Sequence, residues 1–268
     1  MMRKITVLLT VVAVAASASM ALAGAAPKTG INGSMHDINK VAGGYQQDKL
    51  LRTCAFCHTP HNALPNGSVP APLWNHAPST VNLAPYTWAA PTNQGIAINS
   101  DPLVGPSRLC MGCHDGVTAV DSHGSAASSP TGTTKMTASY VDGLGNTAKR
   151  YITDLTVTHP IGFLWADAAS ARGTELQLVT NSFIADNALN YTATSNVAAF
   201  DTRNRGSITQ SGGKTIQNVL YSGYMTCATC HDVHNSVNAS PAPGGSSYNY
   251  FLYAQEEGSA ICLSCHTK

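Results

Sequence analysis

Hydrophobic residues form one long continuous run in this 268-residue chain, and it lies at the N-terminus. The run extends from Ile5 to about Ala16, follows the basic start Met1–Lys4 and leads into the A-x-A sequence Ala21–Ala23. A run of this length is too short to cross a bilayer, whereas the basic start and the A-x-A site are typical of a secretory signal peptide. The pattern therefore predicts a signal peptide over residues 1–23 and an exported mature chain without an integral membrane span.

Beyond the predicted signal peptide, the hydrophobic pattern indicates few regular elements. Short alternating stretches run from Tyr151 to His159 and from Lys214 to Tyr221, and they predict brief strands. Residues 63–106 are rich in Pro, Asn and Ala, and residues 117–148 in Gly, Ser and Thr, so neither segment favours long elements. We expect a mostly irregular fold with a few short strands.

The composition limits both the core and the partners. Charged residues make up only 11% of the chain and aromatic residues 7%, so there is little large apolar bulk per residue. The 15 Lys and Arg residues fall to 13 when Arg3 and Lys4 are removed with the signal peptide, against 14 Asp and Glu. A nearly neutral chain without a basic stripe is a poor match for nucleic-acid phosphates. The lack of apolar bulk predicts that a bound group supplies much of the core.

All eight cysteines belong to one motif, C-x-x-C-H. Its four copies, motifs 1 to 4, are Cys54–His58, Cys110–His114, Cys227–His231 and Cys262–His266. Two thiols three residues apart on a helical turn can form thioether bonds to the two vinyl groups of a haem, and the adjacent imidazole can then bind the iron. Disulfides or four-thiolate zinc sites are the alternative uses of these cysteines, but neither explains a histidine after every pair.

The motifs predict four covalently bound haem c groups, each attached on a short helix. The predicted attachment residues are Cys54, Cys57, Cys110, Cys113, Cys227, Cys230, Cys262 and Cys265. The predicted proximal iron ligands are His58, His114, His231 and His266. With haems filling the interior, we expect a multihaem cytochrome c fold whose core consists largely of stacked haems.

The two halves of the chain repeat one arrangement. Thr53–Asn62 and Thr226–Asn235 are identical at seven of ten positions, and both contain C-x-x-C-H-x-x-H. Each is followed by a plain C-x-x-C-H and preceded by an upstream histidine, His36 or His159. The repeat predicts two dihaem halves, residues 24–148 and residues 149–268, the second with a haem-free insert at about 165–222.

A bis-histidine haem needs a second, distal imidazole on the far side of its iron, and six histidines are available. They are His36, His61, His76, His123, His159 and His234. His61 and His234 each come three residues after a proximal histidine, so on a helical turn they share its face. They cannot reach the opposite side of the same iron, and we expect each to bind an adjacent haem rather than to be a surface histidine.

The other four candidates have different surroundings in the sequence. His159 follows the alternating apolar positions 155 and 157, which would point it inward either as a ligand or as a buried neutral histidine. His36 lies in a polar segment where no packing role is evident, so the alternative to ligation is a solvent-exposed side chain. His76 and His123 do not belong to the repeated unit, and they complete the set of candidate distal ligands.

These residues resemble the doubled C-x-x-C-H family of multihaem cytochromes from bacteria that respire metals. The matching segments are Gly33–Asp37, Cys54–Asn62, Pro72–Asn75, Leu109–Gly116, His159–Phe163 and motifs 3 and 4. More specifically, the chain looks like the outer-surface tetrahaem cytochromes that polymerise into conductive filaments, the outer-membrane cytochrome E type. The resemblance implies a continuous chain of haems, with His36, His61, His159 and His234 as distal ligands and a histidine able to bind a haem in the next subunit.

Two functions follow from these expectations. The first is an electron carrier in the periplasm or at the cell surface, whose partners are other redox proteins, extracellular electron acceptors or further copies of the chain. The alternative is a multihaem reductase of a small oxyanion, which needs one open iron and nearby acid and base groups. No motif has a substituted proximal ligand and no set of Arg, Lys and Tyr surrounds one motif, so the sequence favours the carrier over an enzyme.

Overall fold

Short elements joined by turns make up most of the fold. The computed structural model describes residues 31–32, 34–41, 44–61, 63–64, 71, 73–88, 95–123, 132–137, 139–141, 147–181, 215–231, 233–234, 251–252 and 259–267. The predicted signal peptide and residues 182–214 of the predicted insert lie outside the described residues. The statements below concern the described residues.

The helices are Pro106–His114 (α1), Trp165–Arg172 (α2), Ile216–Val219 (α3), Cys227–Cys230 (α4) and Ala260–Leu263 (α5). Two 3-10 helices cover Thr53–Phe56 and Gly173–Glu175. The four haem motifs therefore all include a helical turn, as the sequence predicts. Of the helices in the described ranges, none has the length and apolarity needed to span a membrane.

The predicted strands are wrong in position. Residues 151–159 form turns and bends, because Leu155 is buried whereas Val157 is 80% exposed, which breaks the two-residue alternation of a strand. The prediction that this alternation points His159 inward is also wrong, because His159 is exposed. Ile216–Val219 is helical because Thr215 and Asn218 form a capping box, with the Thr215 N–H donating to Asn218 Oδ1 at 3.0 Å. Lys214 itself lies outside the described residues.

One antiparallel hairpin occurs instead in the region expected to be loop. Its strands are Ser139–Val141 (β1) and Thr147–Lys149 (β2), and Tyr140 is paired with Ala148 in the register. Each strand has only three residues, and the hairpin is the one sheet within the described ranges. The prediction of a mostly irregular chain with short elements is therefore confirmed, although the strands were predicted in the wrong segments.

Four small clusters of buried side chains replace a single continuous core. They are Ile38, Phe56 and Val120; Leu83, Leu103, Met111 and Leu155; Ile96, Phe163, Ala168 and Met225; and Trp165, Ile216, Val219 and Cys265. The first packs on Cys57 and Cys113, and the third packs on Cys230. The second and fourth include motif residues of their own, Met111 and Cys265. Every cluster is thus formed around a haem motif.

A buried carboxylate fixes the backbone that enters motif 1. Asp48 is fully buried, and its carboxylate accepts hydrogen bonds from the Arg52 guanidinium at 2.6 and 3.0 Å. The same carboxylate accepts the backbone N–H groups of Leu50 and Arg52, each at 3.0 Å. Between them, Leu51 has a φ of 53°, which is uncommon for a residue with a side chain. Asp48 therefore holds a strained turn three residues before Cys54.

We predict that Asp48→Asn lowers the free energy of unfolding by about 2–3 kcal/mol at pH 7, because a buried ion pair loses its anion while Arg52 remains partly solvated. The Arg52 hydrogen bonds hold the pKa of the Asp48 carboxyl well below its usual range. The stabilisation from the Asp48 carboxylate is fully present above the pKa of Asp in the unfolded chain, near 4. It is lost as the pH falls from there towards the lower pKa of Asp48 in the folded protein.

Denaturant unfolding of the haem-loaded protein between pH 3 and pH 7 measures the effect. The variant should show a smaller loss of stability on acidification than the wild type. Asp167→Asn, at an exposed site on α2, is the matched control and should follow the wild type. Equal acid sensitivity of Asp48→Asn and the wild type would contradict the role of this carboxylate.

Candidate functional site

The C-x-x-C-H spacing forms one helical turn at each motif. The backbone N–H of His58 donates to the Cys54 carbonyl at 2.8 Å, and that of His266 donates to the Cys262 carbonyl at 2.8 Å. In motif 3 the corresponding bond joins His231 to Cys227 at 3.1 Å. None of the eight cysteines forms a disulfide, and their exposure ranges from exposed Cys54 and Cys262 to buried Cys265. The turn brings both thiols and the imidazole of a motif close together, as haem attachment requires.

Three of the motif histidines face a second histidine from a distant part of the chain. The ring centres of His114 and His36 are 6.0 Å apart, those of His58 and His234 are 6.4 Å apart, and those of His266 and His159 are 6.4 Å apart. A metal-bound imidazole keeps its ligating nitrogen about 2 Å from the ion, so two rings on opposite sides of one ion have centres roughly 6 Å apart. The three separations fit paired axial ligands of an iron.

Two of these histidines are oriented by hydrogen bonds at the nitrogen that would not face a metal. His114 Nδ1 lies 2.6 Å from the Arg150 carbonyl oxygen, and His159 Nδ1 lies 3.0 Å from the Pro160 carbonyl oxygen. A carbonyl can only accept, so in each ring Nδ1 carries the proton and Nε2 keeps its lone pair. This is the usual orientation of a metal-binding histidine.

Burial keeps two of the paired histidines neutral. Desolvation, followed by the proximity of His114, His231 and His234, lowers the pKa of His36 to about 3. Desolvation also lowers the pKa of His114, against the opposing effect of its bond to Arg150. A neutral imidazole is the form that binds a metal, so both side chains are ready to ligate at physiological pH.

The pairing follows the repeat of the sequence. In each half the upstream histidine faces the second motif of that half, His36 with His114 and His159 with His266. The third pair joins the halves, because His234 follows motif 3 and faces His58 of motif 1. His61 is exposed, and its carbonyl accepts the Thr59 hydroxyl; the structure does not bring His61 and His231 together in a ring pair.

The structure adds a repeated feature that sequence reasoning missed. His58 forms an isolated antiparallel β-bridge with Trp74, and His231 forms one with Leu252. In each case the residue before the bridge partner has positive φ although it carries a large side chain: Leu73 at 54° and Phe251 at 60°. The hydrophobic pairs Leu73–Trp74 and Phe251–Leu252 are visible in the sequence. Their equivalence is not, because the loops that separate them from His58 and His231 differ in length.

His76 and His123, the two candidates outside the repeated unit, are buried side chains with protein partners. His76 Nε2 lies 3.0 Å from the Gly112 carbonyl oxygen and 3.3 Å from Cys113 Sγ. Burial lowers the pKa of His76, although its bond to Gly112 opposes that shift. His123 Nε2 lies 3.3 Å from Asp48 Oδ1, and its ring packs on Phe56 at 4.2 Å. Both Nε2 atoms thus contact protein atoms rather than facing a motif imidazole.

Residues 74–79, the cross-segment, connect motifs 1 and 2. On one side, Asn75 donates from its backbone N–H to the Cys57 carbonyl at 2.9 Å and from Nδ2 to the Ala55 carbonyl at 2.7 Å. On the other side, the Ser79 hydroxyl donates to Asp115 Oδ2 at 2.7 Å, beside the His76 contact with α1. Because these bonds run to both motifs, the cross-segment fixes their relative position.

Close packing over the cross-segment explains a glycine inside motif 2. A Cβ at Gly112 would lie 2.6 Å from the Ala77 carbonyl oxygen and 3.2 Å from the His76 ring. That distance is shorter than a real Cβ contact allows, and the oxygen belongs to the backbone, which cannot swing aside. Glycine therefore permits the close approach of α1 to the cross-segment.

Motif 2 also contacts motif 3. Helices α1 and α4 pack together, and the Cys227 backbone N–H donates to Ser107 Oγ at 3.0 Å. The Cys110 and Cys227 thiols are themselves hydrogen-bonded. Motif 2 is therefore flanked by motif 1, through Cys57 and Cys113, and by motif 3. Groups attached to these three motifs would lie next to one another.

Comparison with known families gives one match. Residues 222–268 match the model of the doubled CXXCH motif, and this segment contains motifs 3 and 4. No curated protein matches the chain. The match supports a multihaem c-type cytochrome, and the C-x-x-C-H motifs indicate covalently bound haem c. The thiol pairs and the three imidazole pairs fit this cofactor, because they could supply the two thioether positions and both iron ligands.

We predict that His76→Gln keeps the full haem content and low-spin irons. A glutamine amide can still donate to the Gly112 carbonyl, so the free energy of unfolding should fall by only about 1 kcal/mol. His159→Gln is the matched comparison, because it removes a histidine that faces a motif imidazole and should produce one high-spin iron. Intact mass and electron paramagnetic resonance (EPR) spectra measure both effects. A high-spin iron in His76→Gln would contradict this prediction and indicate that His76 is an iron ligand.

Proposed function

We propose that this chain is an exported tetrahaem c-type cytochrome that transfers electrons through four bis-histidine haems. The observation that carries the proposal is the set of three imidazole pairs, each with one motif histidine and ring centres 6.0 to 6.4 Å apart. The doubled-motif match over residues 222–268 supports the coarser assignment to multihaem electron transfer.

The ligand sets follow from these pairs and from the repeat. His58 with His234, His114 with His36, and His266 with His159 would hold the irons attached at motifs 1, 2 and 4. The repeat relates His58 to His231 and His234 to His61. When the pair of His58 and His234 is transferred to the equivalent positions, it becomes the pair of His231 and His61. The repeat therefore assigns His61, from this chain or from a neighbouring copy, to the iron of motif 3.

When bound, haem iron supplies reversible one-electron chemistry, and its potential depends on its axial ligands and surroundings. The paired imidazoles would hold each of these irons from both sides, which would leave no iron position for a substrate. The packing of motif 2 between motifs 1 and 3 keeps the attachment sites close, as electron transfer between neighbouring groups requires. A reductase of a small oxyanion would need one iron without its second histidine.

Export and assembly complete the proposal. The signal peptide predicted over residues 1–23 supports a location in the periplasm or at the cell surface, where other redox proteins or extracellular acceptors would be the partners. Assembly into filaments is supported by the resemblance to outer-surface tetrahaem cytochromes. Exposed apolar side chains beside motif 1, at Leu50, Leu51 and Leu73, offer a second copy an apolar surface.

We predict that the oxidised holoprotein carries four haems and gives only low-spin EPR signals. Two strong-field imidazoles on each iron enforce low spin, whereas an iron with one free axial position is high-spin. Intact mass counts the haems, and EPR with optical spectra reports the spin state. Fewer than four haems, or a high-spin iron in the wild type, would contradict the proposal, and the second result would favour the reductase.

The assembly proposal has its own test. Negative-stain electron microscopy of native secreted material should show filaments of uniform diameter that contain this chain. The matched control is the same preparation from cells without the gene. Small isolated particles at every concentration examined would contradict assembly while leaving electron transfer by the monomer intact.

A further inference from the structure

The three imidazole pairs fall into two classes by the angle between their rings. The planes of His58 and His234 are 29° apart and nearly parallel. The planes of His36 and His114 are 67° apart, as are those of His159 and His266. The pair that joins the two halves is therefore closer to parallel, and the two pairs within a half are closer to perpendicular.

This angle matters electronically. Each axial imidazole donates π density into the iron d orbital that lies perpendicular to its ring plane. Parallel rings raise the same orbital, which separates it from its partner and gives low-spin ferric iron a rhombic EPR signal. Perpendicular rings raise both orbitals equally, which leaves them nearly degenerate and gives a signal with one large g value. Ring orientation is thus a property of the protein that a spectrum can measure.

His36 is restrained differently from His114 and His159, two other members of the perpendicular pairs. His114 and His159 each have an Nδ1 bond to a backbone carbonyl. His36 Nδ1 is buried and, among the described residues, has no hydrogen-bond partner. A ring without that bond can rotate about its Cβ–Cγ bond unless neighbouring side chains prevent it.

Phe251 is one of the described side chains that pack against this ring. The ring centres of His36 and Phe251 are 4.4 Å apart with planes 60° apart, an edge-to-face contact. Phe251 is itself buried, with 7% of its surface exposed. Its backbone φ is 60°, and the next residue, Leu252, forms the β-bridge with His231. The second half of the chain therefore supplies the contact that restrains an axial ligand candidate of the first half.

We infer that Phe251 is a positioning residue for the haem of motif 2, and that it holds the His36 ring nearly perpendicular to the His114 ring. The inference rests on the proposed function, because it requires His36 and His114 to bind one iron. Packing replaces the missing Nδ1 hydrogen bond as the restraint. The same absence makes His36 a weaker electron donor than His159, because a bond from Nδ1–H to a carbonyl raises ligand basicity.

The test is the EPR spectrum of oxidised holoprotein with Phe251→Leu. The wild type should show a rhombic signal together with a large-g signal from the two perpendicular pairs. In the variant the His36 ring can take a range of angles, so about half of the large-g intensity should move to lower g values. Tyr86→Leu is the control, because it also removes one ring of an edge-to-face contact, with Trp88, but lies outside the buried clusters around the haem motifs, and it should leave the spectrum unchanged.

Each outcome decides the inference. Four low-spin haems with an unchanged large-g signal in Phe251→Leu would overturn it and leave the proposed function standing. A wild-type spectrum without any large-g signal would also overturn it.

If Phe251→Leu loses haem, two further variants test the inference: Phe251→Met fills the same space without a planar ring, and Phe251→Tyr preserves the ring. The shift should then appear with Met and be absent with Tyr, and any other pattern contradicts the inference. A wild type with a high-spin iron would instead refute the proposed function.

Discussion

On the proposed function, the fold depends on one constraint: an iron held by a motif histidine would need a second imidazole on its opposite face. In motif 3 the helix ends at Cys230 and the backbone is extended at His231, and His234, three residues further on, faces His58 of motif 1. The second ring has to come from a remote segment. In this chain the motifs themselves are positioned by turns, β-bridges and buried polar contacts, such as the Asp48 carboxylate and the cross-segment at residues 74–79.

This constraint explains why so little regular structure is needed. A chain that folds around its own side chains requires helices or sheets to satisfy its backbone while it buries a large apolar face. Here each apolar cluster has only three or four buried members and borders a motif. Small clusters of this kind offset little of the conformational entropy lost on folding. A large apolar group attached at each motif would complete these clusters, which accords with the scarcity of big apolar residues in the sequence.

The sequence predicted the chemistry better than the geometry. The C-x-x-C-H spacing dictates a helical turn locally, so the four attachment turns could be predicted without knowledge of the fold. The pairing of His36 and His159 with the second motif of each half depends on tertiary contacts that no spacing encodes. The strand predicted at 151–159 failed because a short alternation does not establish a face when Val157 points to solvent. The burial of His76 and His123 was equally invisible, because their partners, Gly112 and Asp48, lie far away in the sequence.

The pairing of His58 with His234 makes the two halves interdependent. The repeat suggests two dihaem units, each of which could have arisen and folded alone. However, the histidine that follows motif 3, His234, faces His58 of motif 1, and the repeat gives His61 the equivalent role towards motif 3. If each binds the iron of the other half, neither half can close the coordination of its leading haem without the other. Phe251 extends this interdependence, because the second half also packs against His36 of the first. On the proposed function, the doubled motif would form one interlocked unit rather than two domains joined by a linker.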